Sequence, residues 1–158
     1  MSLHTAAAPI NFLSVVVATY NRATALRRCL DSLLSMRTPD GLAWELICVD
    51  NNSTDETRRV IEEVARTSPV PVKYVFEQRQ GVAYARNAGL REARGEIIAI
   101  TDDDCIADPT WIAALMQEFA ADPSLGIVGG RIELYDPRDR PIAIRVSRDR
   151  TFFSLGAI

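Results

Sequence analysis

Apolar and polar positions fall in blocks along this chain, and the period of the blocks switches repeatedly between two and about three and a half. Residues 12–18 (Phe-Leu-Ser-Val-Val-Val-Ala) are a β-branched run that predicts a first strand. Leu26, Cys29, Leu30, Leu33 and Leu34 then recur at helical spacing, with Arg27, Arg28 and Asp31 opposite. Pro39, Asp40 and Gly41 make a turn, and residues 44–49 predict a second strand running into Asp50, Asn51 and Asn52. Ser53 and Glu56 have capping-box spacing, ahead of a helix with Val60, Ile61, Val64 and Ala65 as its buried stripe. Residues 70–76 predict a third strand, and Pro71 near its start predicts an edge position. After a polar loop at 77–81 comes a helix over 82–94 with Val82, Gly89, Leu90 and Ala93 facing inward. The four apolar residues 97–100 predict a strand buried on both faces. Asp108 and Pro109 open a last helix, whose stripe is Trp111, Ile112, Leu115, Met116 and Phe119. Residues 125–128 predict a short strand before Gly129 and Gly130, and beyond residue 131 no period is visible.

Strand and helix thus alternate four times, which predicts an α/β fold with a mostly parallel central sheet flanked by helices. At 158 residues the chain can build one domain with a real core. Its formal net charge of −3 gives no basic field for a nucleic acid polymer. Cys29, Cys48 and Cys105 are scattered, lack metal-type spacing, and predict reduced thiols. No apolar run near the start is long enough for a signal peptide or a membrane span.

The chemistry-bearing residues cluster just after the strands, at 19–22, 50–52, 77–81 and 102–104. In a parallel sheet these positions share one edge, where ligands gather. Each cluster alone has an ordinary explanation as turn or cap chemistry. Asp102, Asp103 and Asp104, however, repel one another and call for a cation. If the chain stays extended, Asp102 and Asp104 point to one side and Asp103 to the other, because strand side chains alternate. Two carboxylates on one side of a cleft suit Mg²⁺ or Mn²⁺. Arg86 falls on the inward stripe of its helix. An inward guanidinium needs a partner, so Arg86 is expected to be mostly buried and within salt-bridge reach of a carboxylate or phosphate. The alternative is that it snorkels to water along its own stem.

Four blocks carry a resemblance: Val-Val-Val-Ala-Thr-Tyr-Asn-Arg at 15–22, Val-Asp-Asn-Asn-Ser-Thr-Asp at 49–55, Gly-Val-Ala-Tyr-Ala-Arg-Asn-Ala-Gly at 81–89 and Ile-Ala-Ile-Thr-Asp-Asp-Asp at 98–104. In order and spacing, from about residue 12 to 130, they resemble family 2 glycosyltransferases with the GT-A fold, a Rossmann-like nucleotide-diphospho-sugar transferase architecture. The resemblance implies inverting transfer of a sugar from a nucleotide-diphospho-sugar donor to an acceptor hydroxyl, with Mn²⁺ or Mg²⁺. UDP is the first expectation for the donor nucleotide, with GDP and dTDP as alternatives. Thr19, Tyr20 and Arg22 would line the nucleotide pocket, and Asp50 and Asn51 would contact the base or ribose. Arg86, and less directly Arg79, would lie near the diphosphate. Asp102 would face the ribose and share the metal with Asp104, with Asp103 as an alternate ligand.

The resemblance also implies a division of the chain. Residues 1–10 would be a flexible tail, 11–131 the nucleotide-sugar-binding domain, and 132–158 the start of an acceptor-side segment. The apolar ending 152–158 has the look of a cut. Of the acids near it, Glu133, Asp136 and Asp139, none sits in the family's base motif, so no catalytic base is identified. A cytoplasmic location follows, with peripheral membrane association of a longer protein and a homodimer left open. Two other readings compete. One is a nucleotide-binding or dimerising fragment without turnover. The other is a haloacid-dehalogenase-type phosphatase, which would want Thr or Val where Ile106 stands and a lysine downstream, whereas Lys73 lies upstream.

Overall fold

The structure is a computed structural model that describes residues 10–134 and residue 138. Four strands and four helices alternate strictly: β1 (Phe12–Thr19), α1 (Ala23–Leu34), β2 (Ala43–Asp50), α2 (Thr57–Thr67), β3 (Val72–Phe76), α3 (Val82–Glu92), β4 (Ile97–Asp102) and α4 (Trp111–Ala121). The strands form one parallel sheet in the order β3-β2-β1-β4, so the strand that begins behind Pro71 is an edge strand, as its sequence predicts. The register sets Thr19 beside Asp50 and Ala18 beside Asp102, which brings three strand ends level at one rim.

Alternation along the strands divides the core. Leu13, Val15 and Val17 of β1 join Leu46, Cys48, Ile97 and Ala99 against Leu26, Leu30 and Leu33 of α1, Val60, Ile61 and Val64 of α2, and Ile112 of α4. On the opposite face Val16, Ile47 and Val49 pack against Ala85 and Ala88 of α3. Full burial of aliphatic side chains of this size contributes about 1.5–3 kcal/mol each. Among the described residues, then, one face of the sheet carries three helices and the other carries one.

That imbalance corrects two expectations. Ile98 and Ile100 are 37% and 42% exposed, because they lie on the face of α3, and α3 packs over β1 and β2. The inward side of α3 is Ala85, Ala88 and Gly89, whereas Val82 and Leu90 are exposed. Small residues win this position because the helix approaches closely. A Cβ on Gly89 would overlap Val16 Cγ1 and come within 3.1 Å of Val49 Cγ2.

Three smaller differences follow from local contacts. α2 begins at Thr57 behind Glu56, and Ser53 is not its cap; Ala65 is exposed on its outer side. α4 starts at Trp111, while Asp108 accepts hydrogen bonds from the Thr110 N–H at 2.7 Å and its hydroxyl at 2.6 Å. Residues 125–128 form no strand. The chain divides into a unit ending at Pro123 and a second beginning at Ser124. Within the second, Glu133 pairs with Arg131; Asp136 and Asp139 lie outside the described residues, as do residues 1–9 and nearly all of 132–158. No helix among the described residues is long and apolar enough to cross a membrane.

Candidate functional site at the carboxyl rim of the sheet

Each strand ends in a polar loop, and the loops are tied to one another. Asn21 and Asn52 adopt positive φ, 52° and 66°, which asparagine tolerates better than most residues. With the chain turned at Asn21, its N–H donates to Ser53 Oγ at 3.0 Å and its Oδ1 accepts from the Thr54 N–H at 2.7 Å. Asp55 receives the Ala23 N–H at the start of α1 and the Thr57 N–H at the start of α2, both at 3.0 Å. One carboxylate thereby satisfies orphan donors of two helices, and these bonds hold its carboxyl below the usual range. Ser53, whose spacing to Glu56 suggested a capping box within one helix, instead joins two loops, as does Asp55.

At the end of β2, Asp50 is buried. Its Oδ1 accepts from the Ser53 N–H at 2.8 Å and its Oδ2 from the Tyr74 hydroxyl at 3.0 Å. Burial and this bond push the Tyr74 phenol up to about 12. Asn51 is also buried, and its amide holds the next loop. Nδ2 donates to the carbonyls of Glu77 at 3.0 Å and Arg79 at 2.6 Å, and Oδ1 accepts from the Gly81 N–H at 2.8 Å.

The aspartate triplet separates in a way its sequence did not indicate. β4 ends at Asp102 and the chain turns at Asp103, so strand alternation stops there. Asp103 is 5% exposed and accepts from Thr19 Oγ1 at 2.7 Å and Arg22 Nη1 at 3.3 Å. The same Arg22 nitrogen lies 2.7 Å from Asp104. Attraction to Asp103, then Asp104, holds the Arg22 guanidinium still more firmly protonated than usual. Asp102 is taken instead by Arg86, Nη2 to Oδ1 at 2.6 Å. The Cys29 thiol donates to the Asp102 carbonyl at 3.5 Å, and burial pushes that thiol up to about 12. The three cysteines are free thiols, as expected.

Arg86 therefore has its predicted carboxylate but not its predicted burial: its side chain is 41% exposed. The stem is covered, and Nε is buried without a hydrogen-bond partner, while the head reaches the rim. Tyr20 is exposed. Arg79 stands over the Tyr84 ring at 4.7 Å and is clamped by Glu77, a residue the sequence pattern does not single out. Two charges two places apart in a polar loop give no periodic signal.

For a cation the relevant donors are the exposed carboxylates. Asp102 and Asp104 are 57% and 55% exposed, whereas Asp103 is committed to Thr19 and Arg22. Among the described residues no group of three or more His, Cys, Asp or Glu side chains converges at metal-ligand spacing. Two exposed carboxylates nevertheless fit Mg²⁺ or Mn²⁺, which are bound by one or two carboxylates, waters and substrate phosphates. A cleft of about 490 Å³ opens beside Asp104, lined by residues that include Arg22, Thr24, Arg28 and Asp55.

Comparison with known proteins agrees with this geometry. Residues 14–153 match the family described as Glycosyl transferase family 2. A validoxylamine A glucosyltransferase from Streptomyces hygroscopicus subsp. jinggangensis is 35% identical over 132 residues, 82% of this chain and 31% of that protein. The chondroitin synthase of Escherichia coli is 32% identical over 124 residues, 77% of this chain and 18% of that protein. Among solved structures, the mannosyltransferase PcManGT from Pyrobaculum calidifontis, in complex with GDP-Man and Mn²⁺, superposes with a TM-score of 0.63 at 37% identity, covering 72% of this chain and 33% of that one. S. aureus TarS 1-349 in complex with UDP-GlcNAc gives 0.60 at 26% identity, over 69% of this chain and 31% of that one. The chain spans less than half the length of the curated relatives it matches. These neighbours have the GT-A fold, so the parallel sheet expected from the sequence is the sheet of that fold.

Proposed function

This chain belongs to glycosyltransferase family 2, and from that premise we propose that it forms the donor-binding part of an inverting, divalent-cation-dependent transferase. The donor is a nucleotide-diphospho-sugar, UDP-linked in the first instance and GDP- or dTDP-linked otherwise, and the acceptor is a hydroxyl. The observation that carries this reading is the pairing of exposed acids with arginines at one rim: Asp104 with Arg22 and Asp102 with Arg86.

In this reading Asp104 and Asp102 hold Mn²⁺ or Mg²⁺, which neutralises the charge that builds on the leaving nucleoside diphosphate. Arg22 and Arg86 flank the same diphosphate and keep the acids oriented while the site is open. Asp103 braces Arg22 from below. Tyr20, exposed at the rim, lines the nucleotide side of the cleft, while Thr19, buried against Asp103, supports it from within. Asp50 and Asn51 act there by shaping the wall, because their polar atoms already hold Ser53, Tyr74 and the loop at 77–81. Inversion needs a carboxylate base opposite the leaving group, and that role goes to the acceptor side of a longer protein. Such a protein works in the cytoplasm, at the inner membrane face where its acceptor is lipid-linked, alone or as a homodimer.

Calorimetry of UDP and of GDP against the chain, with and without Mn²⁺, tests the proposal. Tighter binding with the cation, abolished in Asp104→Ala, is the expected result. Equal binding with and without it would remove the metal from the site. The fragment alternative is separated by adding nucleotide-sugars: nucleotide binding without hydrolysis or transfer identifies a binding module.

A further inference from the structure

The loop joining β3 to α3 (residues 77–81) consists of Glu-Gln-Arg-Gln-Gly. A polar loop of this kind on an open rim has every reason to be loose, yet it is fastened along its length. Its first N–H donates to the Asp50 carbonyl at 3.0 Å. Asn51 holds the carbonyls of Glu77 and Arg79 and the N–H of Gly81, and Gln80 Nε2 donates back to the Asn51 carbonyl at 2.7 Å.

All this fixes one side chain. Glu77 is buried, and its Oε1 accepts from both the backbone N–H and the Nε of Arg79 at 2.9 Å. Its Oε2 accepts from Arg79 Nη2 at 2.9 Å, with Arg91 at 3.7 Å. The guanidinium rests on the Tyr84 ring, and its bonds to Glu77 use Nε and Nη2, so that among the described residues Nη1 has no hydrogen-bond partner. An exposed arginine ordinarily samples many rotamers, and binding through it must first freeze them. Here that ordering is already done before any ligand arrives, which favours affinity.

We propose that Glu77 is a positioning residue for nucleotide recognition: it holds Arg79 in one pose so that the guanidinium's free nitrogen and outer face meet the nucleoside of the donor. This rests on the nucleotide-sugar reading of the rim. The strand order assigns the moiety. The acids with which the diphosphate would associate, Asp102 and Asp104, lie at the end of β4, and Arg79 follows β3, three strand spacings away or about 14 Å. A guanidinium only donates, so Nη1 selects an acceptor, either a base carbonyl met edge-on or a ribose hydroxyl reached while the outer face stacks on the base.

The test is a double-mutant cycle on UDP affinity, measured by calorimetry in Mn²⁺ on the full chain. Glu77→Gln and Arg79→Ala are each expected to weaken UDP binding about tenfold, the scale of one charge-assisted hydrogen bond. In the Arg79→Ala background Glu77→Gln should cost nothing further, because the carboxylate acts through the arginine alone. If Glu77→Gln fails to fold, as judged by its melting curve, Glu77→Asp replaces it in the cycle. An equal loss from the Glu77 variant in both backgrounds makes its role structural and overturns the inference. So does unchanged UDP affinity in Arg79→Ala, which leaves the proposed function standing. If the unmodified chain binds none of UDP, GDP and dTDP, the proposed function falls and this inference with it.

Discussion

The hydroxyl of Thr19, the last residue of β1, donates to the carboxylate of Asp103 at 2.7 Å, joining positions 84 residues apart at the carboxyl ends of two neighbouring strands. Both groups are buried, and the bond removes Asp103 from the set of acids free to bind anything else. It thereby decides how the triplet divides. The middle aspartate becomes internal structure, and its neighbours on either side keep exposed oxygens.

Thr19→Val keeps the shape of the side chain and deletes the donor. One oxygen of a buried carboxylate then loses its partner, which costs about 1–3 kcal/mol. Urea unfolding followed by circular dichroism should show a lower midpoint at an unchanged slope. A midpoint equal to that of the unmodified chain would mean that water or Arg22 replaces the hydroxyl without loss.

Arg86 makes the opposite case, a contact whose removal should spare the fold. Its bond to Asp102 is half open to solvent, and such pairs contribute at most about 1 kcal/mol. Arg86→Gln should therefore melt close to the unmodified chain. If the diphosphate lies beside this guanidinium, UDP binding in Mn²⁺ should weaken about tenfold or more. Calorimetry and a melting curve on the same sample separate the two effects, and a large fall in stability with unchanged affinity would make Arg86 a structural residue.

The sheet was legible because β-branched runs and helical stripes are local signals, and the rim was legible because parallel strands bring their carboxyl ends together. What each rim residue touches depends on where the chain leaves regular geometry. Asp102 and Asp104 were paired on the assumption of an extended chain, but the turn at Asp103 gives Arg22 the latter two acids and Arg86 the first. Ile98 and Ile100 looked doubly buried because four apolar residues in a row carry no record of how many helices cover each face. The inward side of α3 was misplaced for a related reason: at a close approach glycine and alanine face the sheet, and the larger Val82 and Leu90 turn away.

Gly89 puts that close approach to the test. Alanine has the better helix propensity by about 1 kcal/mol, so an exposed site would gain from the change. Here the new methyl would overlap Val16 Cγ1 and press on Val49 Cγ2. Both valines are fully buried and stiff at χ1, so neither can swing aside. Overpacking of this kind costs about 1–3 kcal/mol, so Gly89→Ala should destabilise on balance. A rise in the urea midpoint would show that α3 can lift from the sheet at little cost.

The clamp on Arg79 predicts a distinct dependence on acid. Hydrogen bonds from the Arg79 side chain, then from its backbone N–H, lower the Glu77 carboxyl from an ordinary 4.5 to about 2. A carboxyl depressed in the folded state stabilises it fully above the unfolded value and loses that contribution as pH falls towards the folded value. The stability difference between the unmodified chain and Glu77→Gln should therefore hold steady above pH 4.5 and shrink between pH 4.5 and about 2. Because Arg79 supplies the largest causes, Arg79→Ala should flatten the same difference. Urea titrations of the four proteins at several pH values across this window measure it. A gap between the unmodified chain and Glu77→Gln that stays constant down to pH 2 would mean that Glu77 titrates normally, and that the bidentate contact does not persist in solution.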